Sequence, residues 1–414
     1  MSLLAVLAVS VVGLLGAGSP ASSVRLLRAG AWLQNAVNGT VSQINGYSGK
    51  ASSQVRVATD SQDFHVVQRD DGAYVVDDHT GAVARVDPSQ LTVGPAVAAF
   101  GAAAGPVRVV VGGEHTWEVD PVKGAVVEVD PLSLQPKGPV LPVGGGVSGD
   151  PVADKEGHLW VYVTGSGSVT RVTPDLTVST TEVGKPHDAV ALTVADGAAV
   201  AYNASAGRVL PLPSGRAMDV PPDAAQAPVV AGDAAAPTVL TVGKQVVSAV
   251  RLGQDARTVP IGALDKVTKA VLAGDRGYLL DGATKQVTMV DFSAGNSQVM
   301  GFAPVDDLLV KDGVTFLNDA KRSKALAVRD NGELVDIEKY TEGSTTEASN
   351  PVPVTQRELP ASAAGVAAAP SGRNTRPAVL PDLAAAPATA PPAASDATPQ
   401  APPPAPAAPA PGPE

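Results

Sequence analysis

The chain has 414 residues, carries 30 Lys and Arg against 41 Asp and Glu for a formal net charge of −11, and contains no cysteine. A disulfide framework, a thiolate metal site and a cysteine nucleophile are therefore excluded, and the acidic balance argues against nucleic-acid binding. The length suits about two or three average domains or one large all-β domain.

The first 22 residues are predicted to be a signal or membrane-anchor segment. Residues 3–15 form an apolar run, which is short for a membrane span of roughly 20 residues and suits the apolar region of a signal peptide. No basic residue precedes the run, whereas Arg25 and Arg28 follow it. A cleaved signal, an uncleaved anchor and a start further upstream all fit this pattern, with a buried core helix as the alternative. We expect an extracytoplasmic protein, either secreted or membrane-anchored.

Residues 23–342 carry a repeat. The pattern G-x-V-x-x-V-D, or a weaker form of it, occurs eight times, with central positions 38 to 43 residues apart. The central residues are Val41, Val83, Val126, Val169, Val209, Val247, Val287 and Ala325. Self-similarity at this period is typical of propellers and other repeat arrays. Trp32, Trp117 and Trp160 fall on the second strands of their units and are predicted to pack between blades.

Each repeat divides into four short strands separated by Gly, Asp or Asn turns. In the clearest unit the strands are predicted at 151–154, 158–163, 168–172 and 178–183, and in the second unit the outermost strand is predicted at 96–100. Four strands per repeat make one propeller blade. The sequence therefore predicts an all-β propeller of about eight four-stranded blades. Seven is the alternative, which applies if residues 24–27 do not form the inner strand of the first unit.

Residues 343–414 are predicted to be a disordered tail. The part from 351 to 414 contains 17 prolines and much alanine. Proline removes backbone donors and fixes φ, so neither a helix nor a sheet ladder continues through it, and large apolar side chains are too few to offset the entropy of ordering. We interpret the tail as a spacer, with a ligand for SH3-type domains as the alternative.

Three features carry a family resemblance: the G-x-V-x-x-V-D hairpins, the HLWV segment at 158–161 and the GKPHD segment at 184–188. Over about residues 24–340 the chain resembles the YncE-, NHL- and virginiamycin-B-lyase-like bacterial β-propellers. The resemblance implies the architecture and leaves the activity open, because such propellers include enzymes and plain binding scaffolds. The layout is also similar to actinobacterial membrane-anchored propeller proteins, whose fibronectin type III repeats have no counterpart in this sequence.

Propellers hold their sites in the central channel or at its mouth, where loops from several blades meet. The lyase relatives use histidine and glutamate from late blades, but the last of the five histidines is His187. The sequence therefore indicates no catalytic residue, no metal site and no cofactor. The best candidates for binding at the channel mouth are His187, Asp188, Asp154 and Asp306, the last with Asp307 beside it. A turn-forming role is the alternative for each.

The favoured hypothesis is a non-catalytic extracytoplasmic β-propeller that serves as a protein-interaction or cell-surface scaffold. The alternative, which rests on the resemblance, is a metal-dependent enzyme of the streptogramin-lyase or lactonase type. The expected partner is another protein or an envelope component rather than a nucleic acid. Contact with a membrane is expected only through the N-terminal segment.

Overall fold

The computed structural model describes residues 30–57, 63–101, 105–221, 224–262, 264 and 266–340, and every regular element among them is a β-strand. The predicted N-terminal segment 1–22, the predicted strand at 24–27 and the predicted tail 343–414 lie outside these residues. Within the part of the chain that the structure describes, no helix is long and apolar enough to cross a bilayer.

The first four repeat units are short meanders in which successive strands pair antiparallel. Unit one contains β1 Gly30–Asn35, β2 Thr40–Asn45 and β3 Lys50–Arg56, and unit two contains β4 Phe64–Arg69, β5 Gly72–Asp77, β6 Val83–Asp87 and β7 Thr92–Val93. Unit three contains β8 Arg108–Gly112, β9 His115–Asp120, β10 Ala125–Val129 and β11 Leu141–Pro142. Unit four contains β12 Val152–Ala153, β13 Leu159–Val163, β14 Ser168–Val172 and β15 Val178–Glu182.

The last four units repeat this arrangement with four strands each. Unit five contains β16 Val190–Ala195, β17 Ala198–Asn203, β18 Arg208–Pro211 and β19 Met218–Asp219, and unit six contains β20 Ala224–Gly232, β21 Thr238–Gly243, β22 Val246–Arg251 and β23 Arg257–Pro260. Unit seven contains β24 Val267–Ala273, β25 Arg276–Asp281, β26 Val287–Asp291 and β27 Asn296–Val299. Unit eight contains β28 Asp307–Lys311, β29 Val314–Asn318, β30 Lys324–Val328 and β31 Leu334–Glu338.

The predicted all-β propeller is confirmed. The central residue of every repeat motif lies on the third of the four strands predicted for its unit, which in unit one is the described strand β2. The outermost strand of unit two differs from the prediction. It is the two-residue strand β7 rather than residues 96–100, where the structure has an isolated bridge between Val83 and Val97.

The repeat motif specifies a β-hairpin and the turn that follows it, whose backbone N–H groups bond to the aspartate side chain. Unit three illustrates both. Gly124 has a φ of 62°, and a Cβ there would lie 2.0 Å from a backbone oxygen of a nearby turn, so only glycine fits. Val126 and Val129 are fully buried. Asp130 Oδ1 accepts the backbone N–H of Ser133 at 2.8 Å, and the Ser133 backbone and hydroxyl donors lower the pKa of Asp130. The same cap is made by Asn45, Asp87 and Asp291.

Buried clusters between units hold the ring together. Each pair of successive units shares one cluster of apolar side chains, and a further cluster joins unit eight to unit one. Trp32, Trp117 and Trp160 lie in the clusters that face the following unit, as their positions on the second strands predicted. Close packing of these large side chains makes the ring rigid enough to position side chains around its channel.

Units one and eight close the ring within one sheet. A single parallel bridge between Lys50 and Glu338 joins β3 to β31, so the sheet order is β1-β2-β3-β31-β30-β29-β28. The described strands therefore form seven sheets, six of them four-stranded. Unit one contributes three described strands to the seventh sheet. Counted by sheets the propeller has seven blades, whereas the repeat units and the packing clusters each number eight.

Side chains occupy the inner edge of β1, where the other units have an inner strand. The Gln68 amide behaves as a peptide group there: its Oε1 accepts the Trp32 N–H at 3.0 Å and its Nε2 donates to the Trp32 carbonyl at 2.7 Å. Asn318 Nδ2 donates to the carbonyl of Gln34 at 3.1 Å. Among the described strands β1 is an edge strand, whose backbone groups must find partners. Units two and eight supply them here.

Lys339 ties the end of unit eight to unit one. Its side chain is almost fully buried, at 2% exposed. Its Nζ donates to Gln34 O at 3.1 Å, to Asn318 Oδ1 at 2.9 Å and to Asp319 O at 2.5 Å. Burial lowers the pKa of Lys339 to about 8, against the opposing attraction of nearby aspartates. The end of unit eight is therefore held to unit one by a buried ammonium group whose donors are matched to three oxygen acceptors.

Candidate functional site: the mouth of the central channel

When the inner strands are aligned by their pairing with the second strands, one aligned position carries charged side chains in four units. This position lies at one end of the central channel. His65, Arg108, Lys269 and Asp307 occupy equivalent places in units two, three, seven and eight, and we call these four residues the charged arc. In unit five the position holds Ala191, and in unit six it holds a valine. The mouth is therefore charged on one side and apolar on the other.

The charged arc borders a cavity of about 510 Å³. The lining also includes Asp78, Asp150 and Asp306, together with Gln34 from unit one. These three aspartates and the one in the arc make four carboxylates against two permanent cations, so the lining carries a net charge of −2 while His65 is neutral. A cavity of this size and sign suits a basic group better than an acidic one.

Two ion pairs at the mouth are open to solvent. Arg108 Nε lies 3.3 Å from Asp150 Oδ1, with side chains 42% and 84% exposed. Lys269 Nζ lies 2.6 Å from Asp307 Oδ1, and both side chains are also more than a third exposed. Pairs this exposed contribute little to folding stability, on the order of 0–1 kcal/mol. Their charges are therefore available to a ligand at small cost to the fold.

His65 and Asp78 form a third pair at the mouth. His65 Nδ1 lies 2.7 Å from Asp78 Oδ1. Asp77 accepts the backbone N–H groups of His79 and Thr80 at 2.9 Å each and so forms the turn, which leaves Asp78 to face the inner strand. Sequence reasoning missed this pair. The available signal was a histidine one residue into an inner strand and a second acid directly after the turn-forming aspartate.

Asp306 is the predicted binding residue that the structure brings to the cavity. Its Oδ1 lies 3.5 Å from Lys285 Nζ, and its backbone N–H donates to Asn318 O at 2.8 Å. The side chain is partly exposed and lines the cavity beside Asp307. This position allows the Asp306 carboxylate to contact a bound group.

His187 and Asp188 form the turn that opens unit five and do not line the cavity. His187 has a φ of 67°, is exposed, and donates its backbone N–H to a carbonyl of unit four at 2.8 Å. Asp188 Oδ2 accepts Asn203 Nδ2 and the Lys185 N–H at 2.9 Å each. These two donors lower the pKa of Asp188. A Cβ at Gly184 would meet the same side chains at 2.3 and 2.6 Å, which explains the glycine of the GKPHD segment.

Asp154 lies at the far end of its inner strand β12 from Asp150, away from the cavity lining. Its side chain is 5% exposed. Oδ1 accepts the backbone N–H of Glu156 at 3.1 Å and of His158 at 2.9 Å. Oδ2 accepts Trp160 Nε1 at 2.9 Å and lies 2.9 Å from His158 Nδ1. These contacts lock the turn between the first two strands of unit four.

Asp154, Glu156 and His158 also have the spacing of metal ligands, with one atom of each within 4.8 Å of the others. Their surroundings do not favour a cation. Arg171 Nη2 lies 2.9 Å from His158 Nε2, and the guanidinium stacks over the Trp160 ring at 5.4 Å from its centroid. A metal ion would be repelled by that guanidinium and would displace hydrogen bonds that already satisfy Asp154. The donor set fits a turn lock better than a metal site.

The turns at the far end of the inner strands are bonded to one another between units. The Lys155 N–H donates to Gly197 O at 2.9 Å, and the Asp196 N–H donates to Asp233 O at 2.9 Å. Gly274 N–H then donates to Asp233 Oδ2 at 3.0 Å. Units four to seven are thus tied together at this end of the channel.

Glu118 is an ionisable group away from the mouth. It is fully buried on β9, opposite Val109 and Val127 on the neighbouring strands. Among the residues that the structure describes, neither carboxylate oxygen has a hydrogen-bond partner. Burial raises the pKa of Glu118 to about 8, which a weaker interaction with the Ala99 backbone offsets in part. The carboxyl group is therefore mainly protonated at neutral pH and inaccessible to a ligand.

Antiparallel meanders arranged around a channel define the class of protein: a β-propeller. No family model matches the chain, and no curated protein matches it. Among solved structures, the chain is similar to the dihydro-heme d1 dehydrogenase NirN, at 12% identity and a TM-score of 0.57, over 76% of this chain and 74% of that one. It is also similar to AztD from Citrobacter koseri, at 10% identity and a TM-score of 0.50, over 74% of this chain and 94% of that one.

A streptogramin B lyase is similar over 61% of this chain and 89% of that one, at 12% identity and a TM-score of 0.49. Identities of 10 to 12% show the fold alone. The β-propeller architecture that the resemblance implied is confirmed.

Proposed function

We propose that this chain is a non-catalytic extracytoplasmic propeller, a protein-interaction or cell-surface scaffold whose channel mouth binds a basic group of another protein or of an envelope component. The observation that carries the proposal is the set of exposed ion pairs around a cavity whose lining has a net negative charge. A preformed, rigid and polar concavity is the general form of a recognition site.

Exchange of ion pairs is the proposed mode of binding. Asp150 is 84% exposed although it lies beside Arg108, so a basic side chain of a partner can approach it from solvent. The new pair would be shielded by the cavity walls and would be stronger than the open one. The formal net charge of −11 adds long-range attraction for a basic partner and raises its association rate.

Two sequence features support the extracytoplasmic part of the proposal. The apolar run at 3–15 has the length of a signal-peptide core. The composition without cysteine is compatible with an oxidising compartment. Fusion of residues 1–30 to a periplasmic reporter enzyme would test export, and a reporter that stays inactive outside the cytoplasm would contradict it.

A charge reversal tests the channel mouth directly. We expect Asp150→Lys to weaken the binding of a fluorescent hexalysine peptide by about tenfold, because a carboxylate is replaced by a like charge. Asp219→Lys is the matched control: Asp219 is 88% exposed and also pairs with an arginine, but it lies on the outermost strand of unit five. Fluorescence anisotropy at fixed ionic strength measures both. Equal losses in the two variants would show non-specific attraction and refute a site at the mouth.

The His65–Asp78 pair favours a second candidate function, an enzyme of the lyase or lactonase type. A carboxylate 2.7 Å from a partly exposed imidazole is an arrangement suited to general acid–base catalysis. Turnover of a cyclic depsipeptide or a γ-lactone by the purified chain, with a loss of about 100-fold in both His65→Ala and Asp78→Asn, would replace the binding proposal with this one. Turnover that is absent, or unchanged in the variants, would exclude these two residues as catalysts.

A further inference from the structure

The outermost strand of unit four, β15, lacks the features that protect the other outer strands. It has five residues, VSTTE, whereas β7, β11 and β19 have two each. Strand β3 carries Lys and Arg, and β23 carries Arg and Pro. Strand β27 packs on the neighbouring unit, where the Ser297 hydroxyl donates to Pro260 O at 3.2 Å. Short length, basic residues and proline are the usual ways in which a protein blocks pairing at a sheet edge.

The outer edge of β15 is open in the described structure. Its sheet order is β12-β13-β14-β15, and no other described strand lies beyond it. Four of its five side chains are exposed, including Val178 at 46%. An exposed strand of this length, whose one charged residue lies at its end, is a template for another strand.

Backbone hydrogen bonds show which groups of β15 face outward. The N–H of Val183 donates to Gly167 O at 3.1 Å, and that of Thr173 donates to Thr177 O at 3.0 Å. Alternate residues of an antiparallel ladder bond the same neighbour, so the odd-numbered residues of this strand direct their backbone groups toward β14. The residues whose N–H and C=O groups face outward are Val178, Thr180 and Glu182.

We propose that β15 pairs with β15 of a second copy of this chain, antiparallel and about a two-fold axis at Thr180. Thr180 then bonds Thr180 of the second copy, and Val178 of each copy bonds Glu182 of the other. The three outward-facing residues of each strand all find partners in this register, which gives about six backbone hydrogen bonds. A symmetric contact of this kind closes as a dimer.

The sequence around β15 is self-complementary, and this favours a second copy over an unrelated strand. In the proposed register Glu182 faces Val178 rather than another carboxylate. The exposed Lys185, just after the strand of one copy, comes to the same end as the exposed Asp175, in the turn before the strand of the other copy. Opposite charges and paired threonines both stabilise cross-strand contacts. A register shifted by four residues would bring the two Glu182 side chains together and would be disfavoured. The dimer does not depend on the binding role of the channel mouth.

Sedimentation velocity of the full chain, from low to high micromolar concentration, tests the dimer. We expect the wild type to dimerise and Thr180→Lys to weaken dimerisation by at least about tenfold, because two like charges then face each other on the axis. Thr258→Lys is the matched control, since Thr258 is an exposed threonine on the outermost strand of unit six. A wild type that stays monomeric, or a Thr180→Lys variant that dimerises as well as the wild type, overturns the proposal.

Cross-linking provides a second measurement that does not depend on the folding of the lysine variant. The chain contains no cysteine, so Thr180→Cys introduces a single thiol per copy. Directly opposite residues of a hydrogen-bonded pair have Cα atoms about 5.5 Å apart, which is within the range for a disulfide. Oxidation should give a covalent dimer on a non-reducing gel for Thr180→Cys and not for Thr258→Cys. Equal cross-linking of the two variants would overturn the proposal.

Discussion

Replacement of Glu118 by leucine should stabilise the propeller, and the gain should depend on pH. The repeat supports this substitution, because units one, seven and eight hold Leu33, Leu279 and Leu317 at the corresponding buried position. In unit three this position holds Glu118, a fully buried carboxyl group with no hydrogen-bond partner among the described residues. Leucine has a similar volume and adds apolar contacts to the cluster between units two and three.

The magnitude of the expected stability change follows from the pKa of Glu118. Burial raises the pKa of Glu118 from an ordinary 4.5 to about 8, so the folded chain holds a proton that the unfolded chain releases between these pH values. The free energy of unfolding therefore falls as the pH rises from 4.5 to 8 and loses no more above 8. At about 1.36 kcal/mol per pKa unit, the loss reaches about 3 kcal/mol at pH 7 and about 5 kcal/mol above pH 8.

Urea unfolding followed by tryptophan fluorescence can measure this, because Trp32, Trp117 and Trp160 are all buried. The free energies of unfolding of the wild type and of Glu118→Leu should diverge as the pH rises from 4.5 to 8. Glu118→Gln is the control, since it keeps the shape and cannot ionise, and it should remove the same pH dependence. Parallel curves for wild type and Glu118→Leu over this range would refute the assignment of a raised pKa to a buried Glu118.

Two further predictions concern ring closure and the repeat hairpins. The pKa of Lys339 is lowered from 10.5 to about 8, so between these pH values the unfolded chain binds a proton that the folded chain lacks, and the free energy of unfolding of the wild type should rise with pH by about 3 kcal/mol. Lys339→Met should abolish this rise. An unchanged pH slope in the urea unfolding of the variant would contradict the prediction. Gly124→Ala should lower the melting temperature more than Gly274→Ala. Both glycines have positive φ, but a Cβ at Gly124 would lie 2.0 Å from a backbone oxygen, whereas a Cβ at Gly274 would have no heavy atom within 4 Å. Equal losses in differential scanning calorimetry would show that φ strain alone determines the effect.

The architecture was predictable because the repeat encodes local physics. A glycine at positive φ, two buried valines and a capping aspartate specify a hairpin and the following turn wherever they occur, as Gly124, Val126 and Asp130 show. These interactions join residues close in sequence, so their spacing alone reveals them. The number of sheets was less accessible, since it depends on one bridge between Lys50 and Glu338 at opposite ends of the propeller.

The mouth was harder to predict, because its residues come from different units. Asp306 was identified from its place at the start of an inner strand, and it lines the cavity. Asp154 was selected by the same reasoning, yet it lies at the other end of a two-residue strand. The sequence does not show which end of an inner strand borders the cavity. That choice depends on backbone contacts between units, such as the bond from Lys155 to Gly197.

Departures from the repeat are the residues that most need a functional explanation. Every unit of a propeller solves the same packing problem, so a residue type that recurs at one position is accounted for by packing or by a turn. His65 and Arg108 stand where unit five has an alanine and unit six a valine, so burial of the inner strands does not require their charges. Glu118 also differs from the repeat, but it lies in the core, where its charge can change stability and cannot contact a ligand. His65 and Arg108, by contrast, are partly open to solvent and border the cavity at the mouth of the channel, and this argues for recognition there.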